Sequence, residues 1–498
     1  GGGGAVRVGG GYQGCTLGLG CSNANTTTVD AASTLRADAR TNGDGGQVVV
    51  WSEKATQIDG VITVRGGPQA GNGGLVETSS HGLLAVTQAP DASALLGKGG
   101  TWLLDANDIT ITSGGSGIGA GTFMSSTDNT ILDVATINAA LNAGTSVSIA
   151  TGESGAGAQA GDITIAGQIN KNNQSVSDAT LTLVASRDIA VNADIVIANN
   201  AIDQGAPAIN MQADRDLSIN NANLATYTTG NIALSAGRNI TAQFSAANQS
   251  NSITAGPGDV TIQAGGSIAP SGALSGNQLY ISGANLTLSA GGSGSGTFSM
   301  LGDLYATYAP AGAISISGAS GIDTTGFRTY ANGDLTLTTS AGPISAGSLE
   351  AINGDINITA LGGSVLSSGV ITAYAGALNL TATGDITANE AVGANKAVSL
   401  TTTAGGISVN QLSSASAGVN LNAVNGITTN APINVHAGII SLKSSGAAGD
   451  VRINGDLIHQ NDAAIAGQTL IDVSSGRDIV LNNANLATYT TGNIALSA

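Results

Sequence analysis

Two aspartates in the C-terminal part of the chain have a spacing that could form a carboxylate pair. Asp334 and Asp355 each follow a glycine and precede an apolar-polar-apolar triplet. If the triplets stack as equivalent strands, the two side chains lie within several ångströms, close enough for a Ca²⁺ site or a glycosidase-like acid–base pair. Alternatively, each aspartate makes only the local hydrogen bond of a Gly-Asp turn. We favour the turn, because Ala313 and Ala377 hold the equivalent positions above and below.

A second acidic cluster, Asp105-Ala-Asn-Asp108, could suggest a metal loop. It lacks the spaced ligands and the terminal glutamate of a Ca²⁺-binding loop, so it indicates a polar turn after the strand that carries Trp102. Trp51 and Trp102 both lie in strand-like segments. We expect them to fill the core or cover the edge of a coil rather than stack on a sugar.

The three histidines are His81, His436 and His459. They are far apart in sequence and offer neither paired metal ligands nor a base beside a nucleophile. No Ser-His-Asp set, phosphate-binding loop or dinucleotide-binding fingerprint is present. We therefore predict no catalytic residue, no cofactor and no metal site.

The only two cysteines, Cys15 and Cys21, flank a short glycine-rich stretch. A disulfide between them would fit an oxidising compartment. Two unbonded thiols or half of a metal site remain the alternatives, although no histidine lies nearby.

Asn-x-Ser/Thr sequences occur often, for example at Asn239, Asn285, Asn357 and Asn379. Most such matches arise by chance in a chain rich in Asn and Thr. Asn357 and Asn379 are expected to face solvent, so glycosylation there is possible if the protein is secreted.

The composition excludes several classes of protein. Charged residues make up 9% of the chain, against roughly 25% in ordinary globular proteins. The hydrophobic fraction is nevertheless 42%, with 74 Gly, 8 Pro and 3% aromatics, which argues against disorder. A net charge of -17 disfavours binding to nucleic acid or to an anionic membrane surface. No apolar run is long enough for a membrane-spanning segment.

A five-residue pattern repeats through the C-terminal part. Its third and fifth positions are apolar, its fourth is Ser, Thr or Asn, and successive copies start 21, 21, 22, 20, 21 and 21 residues apart. The third positions are Ile314, Leu335, Ile356, Leu378, Val398, Val419 and Ile440. Because strand residues alternate between faces, the third and fifth positions must share one side. Strands this short need equivalent strands stacked about 4.8 Å away.

A second ladder of apolar residues runs half a period behind the first. Its members are Ile322, Ile344, Val365, Ile386, Ile407 and Ile427. A repeat of this length accommodates about three short strands and three turns, which predicts one turn of a triangular parallel β-helix. Right-handed winding follows from the handedness of parallel crossovers. We therefore predict an all-β, right-handed parallel β-helix with 21–28 residues per coil and about 20 coils.

The predicted organisation has three parts. Residues 1–150 form coils with Gly-x-Gly-Gly turns, a cysteine-containing loop, and a short helix at 129–142 that should end at Gly144. Residues 151–300 form less regular coils, and residues 301–498 form the regular coils. Residues 220–236 recur identically as 482–498, and the flanking Arg215-Asp216 recurs as Arg477-Asp478. This predicts that a multi-coil module is duplicated, with residues 215–236 and 477–498 as its matching parts. We also expect the full protein to continue beyond residue 498.

Several segments of residues 1–150 resemble the filamentous haemagglutinin family, the large exoproteins of bacterial two-partner secretion. They are Val6-Arg-Val-Gly-Gly-Gly-Tyr-Gln-Gly14, Asn42-Gly-Asp-Gly-Gly-Gln-Val-Val-Val-Trp-Ser52, Arg65-Gly-Gly67, Gly71-Asn-Gly-Gly-Leu-Val-Glu-Thr-Ser79 and Gly99-Gly-Thr-Trp-Leu-Leu-Asp-Ala-Asn-Asp-Ile-Thr-Ile111. The resemblance implies a Gram-negative cell surface, export through an outer-membrane β-barrel transporter, and adhesion to receptors or glycans of host or neighbouring cells. The secretion domain of the family would lie upstream of Gly1.

Two functions follow as hypotheses. The first is a non-enzymatic structural and adhesive shaft of a secreted surface protein, which could also present a toxin. The second is a polysaccharide-active β-helix lyase or hydrolase. Fold alone does not choose between them, because parallel β-helices carry both kinds of function.

Overall fold

The predicted fold class is confirmed. The computed structural model describes the chain except for residues 16–21, 115–128, 153–159, 175, 177, 200–206, 228–229, 245–249, 272–277, 293, 300–301, 461–466 and 490–491. The protein is all-β, about 52% strand and 3% helix, with parallel sheets that form a β-solenoid of about 17 turns.

The chain divides into two compact units. The first contains Gly1–Ile262 and Ser271–Leu279, and the second contains Gln263–Pro270 and Tyr280–Ala498. In each unit a regular turn contributes one strand to each of three parallel sheets, here called the first, second and third sheet.

The strands of the first unit are short and separated by turns. Those of its first sheet are Ala5–Val8, Gln47–Ser52, Leu75–Ser80, Thr101–Ala106, Ser146–Thr151, Leu181–Ala185, Pro207–Ala213 and Asn231–Ala236. Those of its second sheet are Ile109–Thr112, Thr130–Asp133, Ile163–Ile165, Ile189–Val191, Leu217–Asn220 and Ile240–Gln243. Those of its third sheet are Ile169–Lys171, Ile195–Ile197, Leu224–Thr226 and Ser250–Thr254.

The first coils also carry two small parallel sheets. One contains Thr26–Val29, Ala55–Ile58 and Leu83–Val86, and the other contains Thr34–Arg36 and Val61–Thr63. A 3-10 turn covers Tyr12–Cys15. The division between the units passes through one strand of each main sheet: Val260–Ala264, Ile268–Ser271 and Gln278–Gly283.

The second unit repeats the same three-strand turn. Strands of its first sheet are Leu286–Ala290, Ile314–Gly318, Leu335–Thr339, Ile356–Ala360, Leu378–Ala382, Val398–Thr402, Gly418–Ala423, Ile439–Ser444, Thr469–Ser474 and Asn493–Ser497. Strands of its second sheet are Thr297–Ser299, Gly321–Asp323, Ile344–Ala346, Val365–Ser367, Ile386–Ala388, Ile407–Val409, Ile427–Thr429, Val451–Ile453 and Ile479–Leu481. Strands of its third sheet are Leu304–Ala306, Arg328–Ala331, Ser348–Ala351, Ile371–Ala373, Val392–Ala394, Leu412–Ser414, Ile433–Val435, Leu457–His459 and Leu486–Thr488.

The predicted register is confirmed in the second unit. Leu335 pairs with Ile356, which pairs with Leu378, and all three are fully buried. The ladder at Ile322 and Ile344 also points inward. Stacking equivalent aliphatic residues gives every coil an apolar centre, while backbone groups pair with the coils on either side.

The number of turns is lower than the predicted 20, because several coils are long. Register partners between Ile314 and Ile440 follow at intervals of 20 to 22 residues. In the first unit, by contrast, Thr101 pairs with Ser146, so that this coil takes 45 residues.

The helix predicted over residues 129–142 is shorter, and its predicted start is wrong. Thr130–Asp133 is a strand that pairs with Ile109–Thr112, and the helix, α1, covers Val134–Asn142. Asp133 ends the strand and caps the helix by accepting a hydrogen bond from the Ala135 N–H at 2.9 Å. The Asn138 and Asn142 side chains bond to backbone groups of residues 168–173, so that α1 lies along the strand Ile169–Lys171.

No helix in the described part of the chain has the length and hydropathy needed to cross a membrane.

Candidate functional site

Asp334 and Asp355 occupy equivalent turn positions in adjacent coils, as the spacing predicted, and each carboxylate bonds to a backbone amide. Asp334 Oδ1 accepts a hydrogen bond from the Asp355 N–H at 2.8 Å. Asp355 Oδ1 accepts from the Ala377 N–H, also at 2.8 Å. Each aspartate therefore ties one coil to the next, which is the turn role favoured from the sequence.

Glycine precedes the aspartate in this turn because successive coils approach closely. A Cβ atom on Gly354 would lie 2.4 Å from the backbone nitrogen of Asp334 in the neighbouring coil. A larger residue would separate the two coils and lengthen the hydrogen bond that Asp334 accepts.

The same contact recurs in many coils with Asp or Asn in the turn. Asn285 accepts from the Ala313 N–H, Asp385 from the Gly406 N–H and Asp456 from the Asn485 N–H, all at 2.8–2.9 Å. We call these residues coil-linking acceptors. Their recurrence shows that Asp334 and Asp355 belong to a structural series. A catalytic or metal-binding role for these two residues alone would need a feature that the other members of the series lack.

An alternating ladder of aspartate and arginine runs along the turns of the first unit. Arg187 Nε donates to Asp162 Oδ1 at 2.7 Å, Arg215 Nε to Asp188 Oδ1 at 2.7 Å, and Arg238 Nε to Asp216 Oδ1 at 2.8 Å. The second guanidinium nitrogen of each arginine bonds the other carboxylate oxygen. These are bidentate pairs between adjacent coils.

Pairing with arginine favours the ionised form of Asp216. The hydrogen bond from Arg238 lowers the pKa of Asp216 below its usual value, because the guanidinium favours the charged form. The ladder borders a surface groove of about 340 Å³, lined also by Thr164, Ser218 and Gln243. Because its charges are paired, the groove offers hydrogen-bonding groups with little excess charge.

This ladder was not predicted from the sequence. The recurring Arg187-Asp188, Arg215-Asp216 and Arg238-Asn239 pairs could have revealed it, since arginine and the acidic or amide residue occupy the same turn each time.

A second missed feature is a pair of carboxyl groups on the outer face of the first unit's first sheet, of which Glu77 is buried and Asp105 half-buried. Glu77 is fully buried beneath residues 9–15, and the Gln13 N–H donates to both of its carboxylate oxygens at 3.0 and 3.1 Å. Burial raises the pKa of Glu77 to about 7. Burial likewise raises the pKa of Asp105 on the neighbouring strand to about 6, although the nearby His81 opposes the change. Such shifts mark candidate functional sites, but they also arise where a loop covers an acid.

The surroundings of Glu77 favour the covering loop as the cause. Trp51 lies beneath residues 9–15 and is 2% exposed, with its ring 4.7 Å from the His81 ring. His81 Nδ1 lies 2.9 Å from Glu53 Oε2, and Asn23 donates to Glu53 at 2.9 Å. Asn23 Nδ2 also donates to the Gly14 carbonyl oxygen at 3.0 Å, which holds the loop on the sheet, and Glu77 has no exposed surface.

The tryptophans have the expected role. Trp102 is fully buried in the core, and its indole N–H donates to Thr78 Oγ1 at 2.8 Å. Trp51 covers the outer side of a coil under the loop.

The predicted turn covers only the second half of the cluster Asp105-Ala-Asn-Asp108, because Asp105 and Ala106 end a strand and Asn107 and Asp108 form the bend that follows. Asp108 Oδ1 accepts hydrogen bonds from the N–H groups of Gly161 and Asp162, both at 2.8 Å. Asp105 lies on the strand Thr101–Ala106, so the two acids serve different elements. Among the described residues, no group of three or more His, Cys, Asp or Glu side chains could hold a metal ion.

The histidines and cysteines form no shared site among the described residues. His459 is fully buried, with Nε2 2.7 Å from the Gly438 carbonyl oxygen. The His436 backbone N–H donates to the Ser414 carbonyl. The predicted Cys15–Cys21 disulfide lies outside the described residues, because Cys21 and the side chain of Cys15 are among those not described.

The amides of Asn357 and Asn379 lie on the outer face, half-buried, and Asn379 Nδ2 donates to Asn357 Oδ1 at 3.0 Å.

No protein-family model matches the chain, and no curated protein matches it significantly.

Proposed function

We propose that the chain is a non-enzymatic structural and adhesive shaft of a secreted bacterial surface protein. Support comes from the way the coils are joined. Stacked aliphatic ladders, coil-linking acceptors and Asp–Arg pairs all act between neighbouring coils, so length is added without changing the existing contacts. A shaft needs this property in order to hold a binding element away from the cell.

The observation that carries the proposal is the duplicated module, whose two copies make the same contacts. Arg215 pairs with Asp188, and Arg477 pairs with Asp450 through Nε at 2.6 Å. The identical residues 220–236 and 482–498 also make matching contacts with residues outside those segments. Asn223 donates to Asp194 and Asn485 to Asp456, through the backbone at 2.8 Å and the side chain at 3.1 Å in both copies. A module that keeps its contacts in two places in one chain is suited to making shafts of different length.

Secretion and cell-surface location extend the proposal on the basis of the resemblance. If they are right, the full-length gene encodes a secretion domain upstream, beside a gene for an outer-membrane β-barrel transporter. Protease added to intact bacteria should then degrade the protein, and deleting the transporter gene should retain it inside the cell. Protection in the wild-type strain would contradict the proposal.

Adhesion is tested with the purified chain. Fluorescently labelled protein should bind host or neighbouring bacterial cells saturably, and unlabelled protein should compete. The matched control is a chain with Ile356→Asp, which disrupts the stacked core while changing one residue. Equal binding by the intact and control chains, or none by either, would contradict an adhesive role.

The competing hypothesis is a polysaccharide lyase or hydrolase, and the observation in its favour is the pair of acids formed by buried Glu77 and half-buried Asp105. Depolymerisation of acidic polysaccharides by the purified chain would support it. Activity lost in Asp334→Asn, Asp355→Asn or Asp105→Asn would identify the residues responsible and overturn the shaft proposal.

A further inference from the structure

Tyrosine is confined almost entirely to one side of the coils. Of the 8 tyrosines, all except Tyr12 lie on strands of the third sheet or within two residues after such a strand. They are Tyr227, Tyr280, Tyr305, Tyr308, Tyr330, Tyr374 and Tyr489. Aromatic residues make up only 3% of the chain, so a side of the coils that carries seven of the 8 tyrosines differs in surface chemistry from the other two sides.

The densest group lies in the second unit. Tyr305 and Tyr330 are register partners on neighbouring strands, and their ring centroids are 6.5 Å apart. Glu350 follows Tyr330 in the same row. Tyr308 and Tyr374 stand at the turns beside this row, 53% and 54% exposed. We call Tyr305, Tyr308, Tyr330 and Tyr374, with Arg328, the tyrosine face.

Contacts within the tyrosine face hold it in one conformation. The Arg328 guanidinium carbon lies 4.7 Å from the Tyr330 ring centroid, and Nε and Nη2 donate to the two Glu350 oxygens at 2.6 and 2.8 Å. The Tyr305 hydroxyl donates to Asp303 at 3.0 Å. Binding to a surface already fixed in this way loses little conformational entropy.

The turn that carries Tyr308 is fixed as well. Asn332 Nδ2 donates to the carbonyl oxygens of Thr307 and Ala309, both at 3.0 Å. These bonds hold the backbone on either side of Tyr308, so that its exposed ring has a defined position.

The charges of the face are already paired. Glu350 binds Arg328 through both carboxylate oxygens, so the guanidinium is engaged within the protein. The net charge of the chain is -17, which repels anionic polymers. Tyrosine combines an apolar ring face with a polar hydroxyl, which suits a ligand with both C–H faces and hydroxyl groups.

From this geometry we propose that the tyrosine face is a binding site for an uncharged glycan chain. The rings would stack on pyranose faces, and the Tyr305 and Tyr374 hydroxyls with Glu350 would meet sugar hydroxyls. Rows about 4.8 Å apart suit a polymer whose units repeat at a similar distance. This inference rests on the proposed adhesive function and names its ligand class.

The test uses the full chain on immobilised oligosaccharides of glucose, galactose and N-acetylglucosamine, with polygalacturonate and heparin as anionic probes. We expect binding to at least one uncharged glycan and none to the anionic probes in physiological salt. Tyr330→Ala should weaken that binding about tenfold or more, as expected of a buried aromatic contact. Tyr330→Phe should keep most of the affinity, since it retains the ring.

The matched control is Tyr227→Ala, which removes a tyrosine that is 62% exposed but lies in the first unit, outside the face. It should bind as the unchanged chain does. Equal affinity of Tyr330→Ala and Tyr227→Ala would overturn the glycan site, as would binding to the anionic probes alone. If the chain binds cells but no uncharged glycan, the glycan site fails while the adhesive function stands. If it binds neither, both fail.

Discussion

At the scale of single residues, the ionisation of Glu77 links the loop of residues 9–15 to pH. Burial raises the pKa of this carboxyl from 4.5 to about 7. At pH values below the unfolded pKa, the group is protonated in both the folded and the unfolded state, and the folded state bears no penalty. As the pH rises toward 7, the unfolded state releases its proton first, so the free energy of unfolding falls.

We therefore predict that the loop of residues 9–15 loosens between about pH 5 and pH 8, by up to about 3 kcal/mol for the Glu77 shift. Glu77→Gln keeps an acceptor for the Gln13 N–H but cannot ionise, so it should remove most of the pH dependence. Trp51 fluorescence and hydrogen exchange of the Gln13 amide would measure how far the loop loosens at each pH. A pH dependence unchanged in Glu77→Gln would show that another group, such as Asp105, dominates.

A second prediction at this scale concerns the apolar ladder. Ile356 is fully buried between Leu335 and Leu378. Ile356→Asp would bury an unpaired charge, and we expect a loss of several kcal/mol in the free energy of unfolding. Asn357→Ala, on the outer face one residue away, loses one side-chain hydrogen bond and should cost about 1 kcal/mol or less. The free energies of unfolding of the two variants would be compared by chemical denaturation monitored by circular dichroism. Equal values would contradict the register in which Ile356 points inward and Asn357 outward.

At the scale of the element, the Gly-Asp turn joins coils through an acceptor on the side chain. Asp334→Ala would leave the Asp355 N–H without the carboxylate that it now contacts at 2.8 Å. Because the turn is exposed and water can replace the bond in part, we expect a cost of about 1 kcal/mol. Asp334→Asn keeps an acceptor oxygen and should be nearly neutral.

Hydrogen exchange at the Asp355 amide distinguishes these variants. Faster exchange in Asp334→Ala, with slow exchange in Asp334→Asn, is the expected result. Equal exchange rates in the two variants would mean that the side chain does not protect this amide.

At the scale of the whole molecule, a coil is the unit that can be removed. Deleting residues 356–377 would connect Asp355 to Leu378 and let Leu335 pair with Leu378, both of which pair with Ile356 in the intact chain. Since the strands of each coil pair only with those of its neighbours, we expect the shortened chain to fold with its β-sheet spectrum retained.

The control deletes residues 356–366, which is half of that coil. It would place second-sheet and third-sheet residues opposite first-sheet strands and should yield an aggregated or unfolded chain. Circular dichroism and limited proteolysis would compare the folded structure of the two deletion variants. Equal loss of structure in both deletions would mean that the coils are not interchangeable.

The sequence by itself determined the coil and two of its three sides. The first-sheet ladder at Leu335 and Ile356 and the second-sheet ladder at Ile322 and Ile344 were readable, because an aliphatic residue recurs at nearly constant spacing. The third ladder, with Leu349, Ile371, Val392 and Leu412, has similar spacing. It was missed because its strands are short and small residues such as Ala351 and Ala373 hold the second inward position.

Only the tertiary structure decided which polar groups meet. The repeat places Asp334 one coil from Asp355. It does not determine whether the two carboxylates face each other or each accepts a backbone hydrogen bond, because that depends on the directions in which the side chains point. The burial of Glu77 needs residues 9–15 to fold over a distant strand, and no local pattern encodes such a contact. The tyrosine face likewise emerges only when four coils are stacked, because its residues are spread over about 70 positions of the sequence.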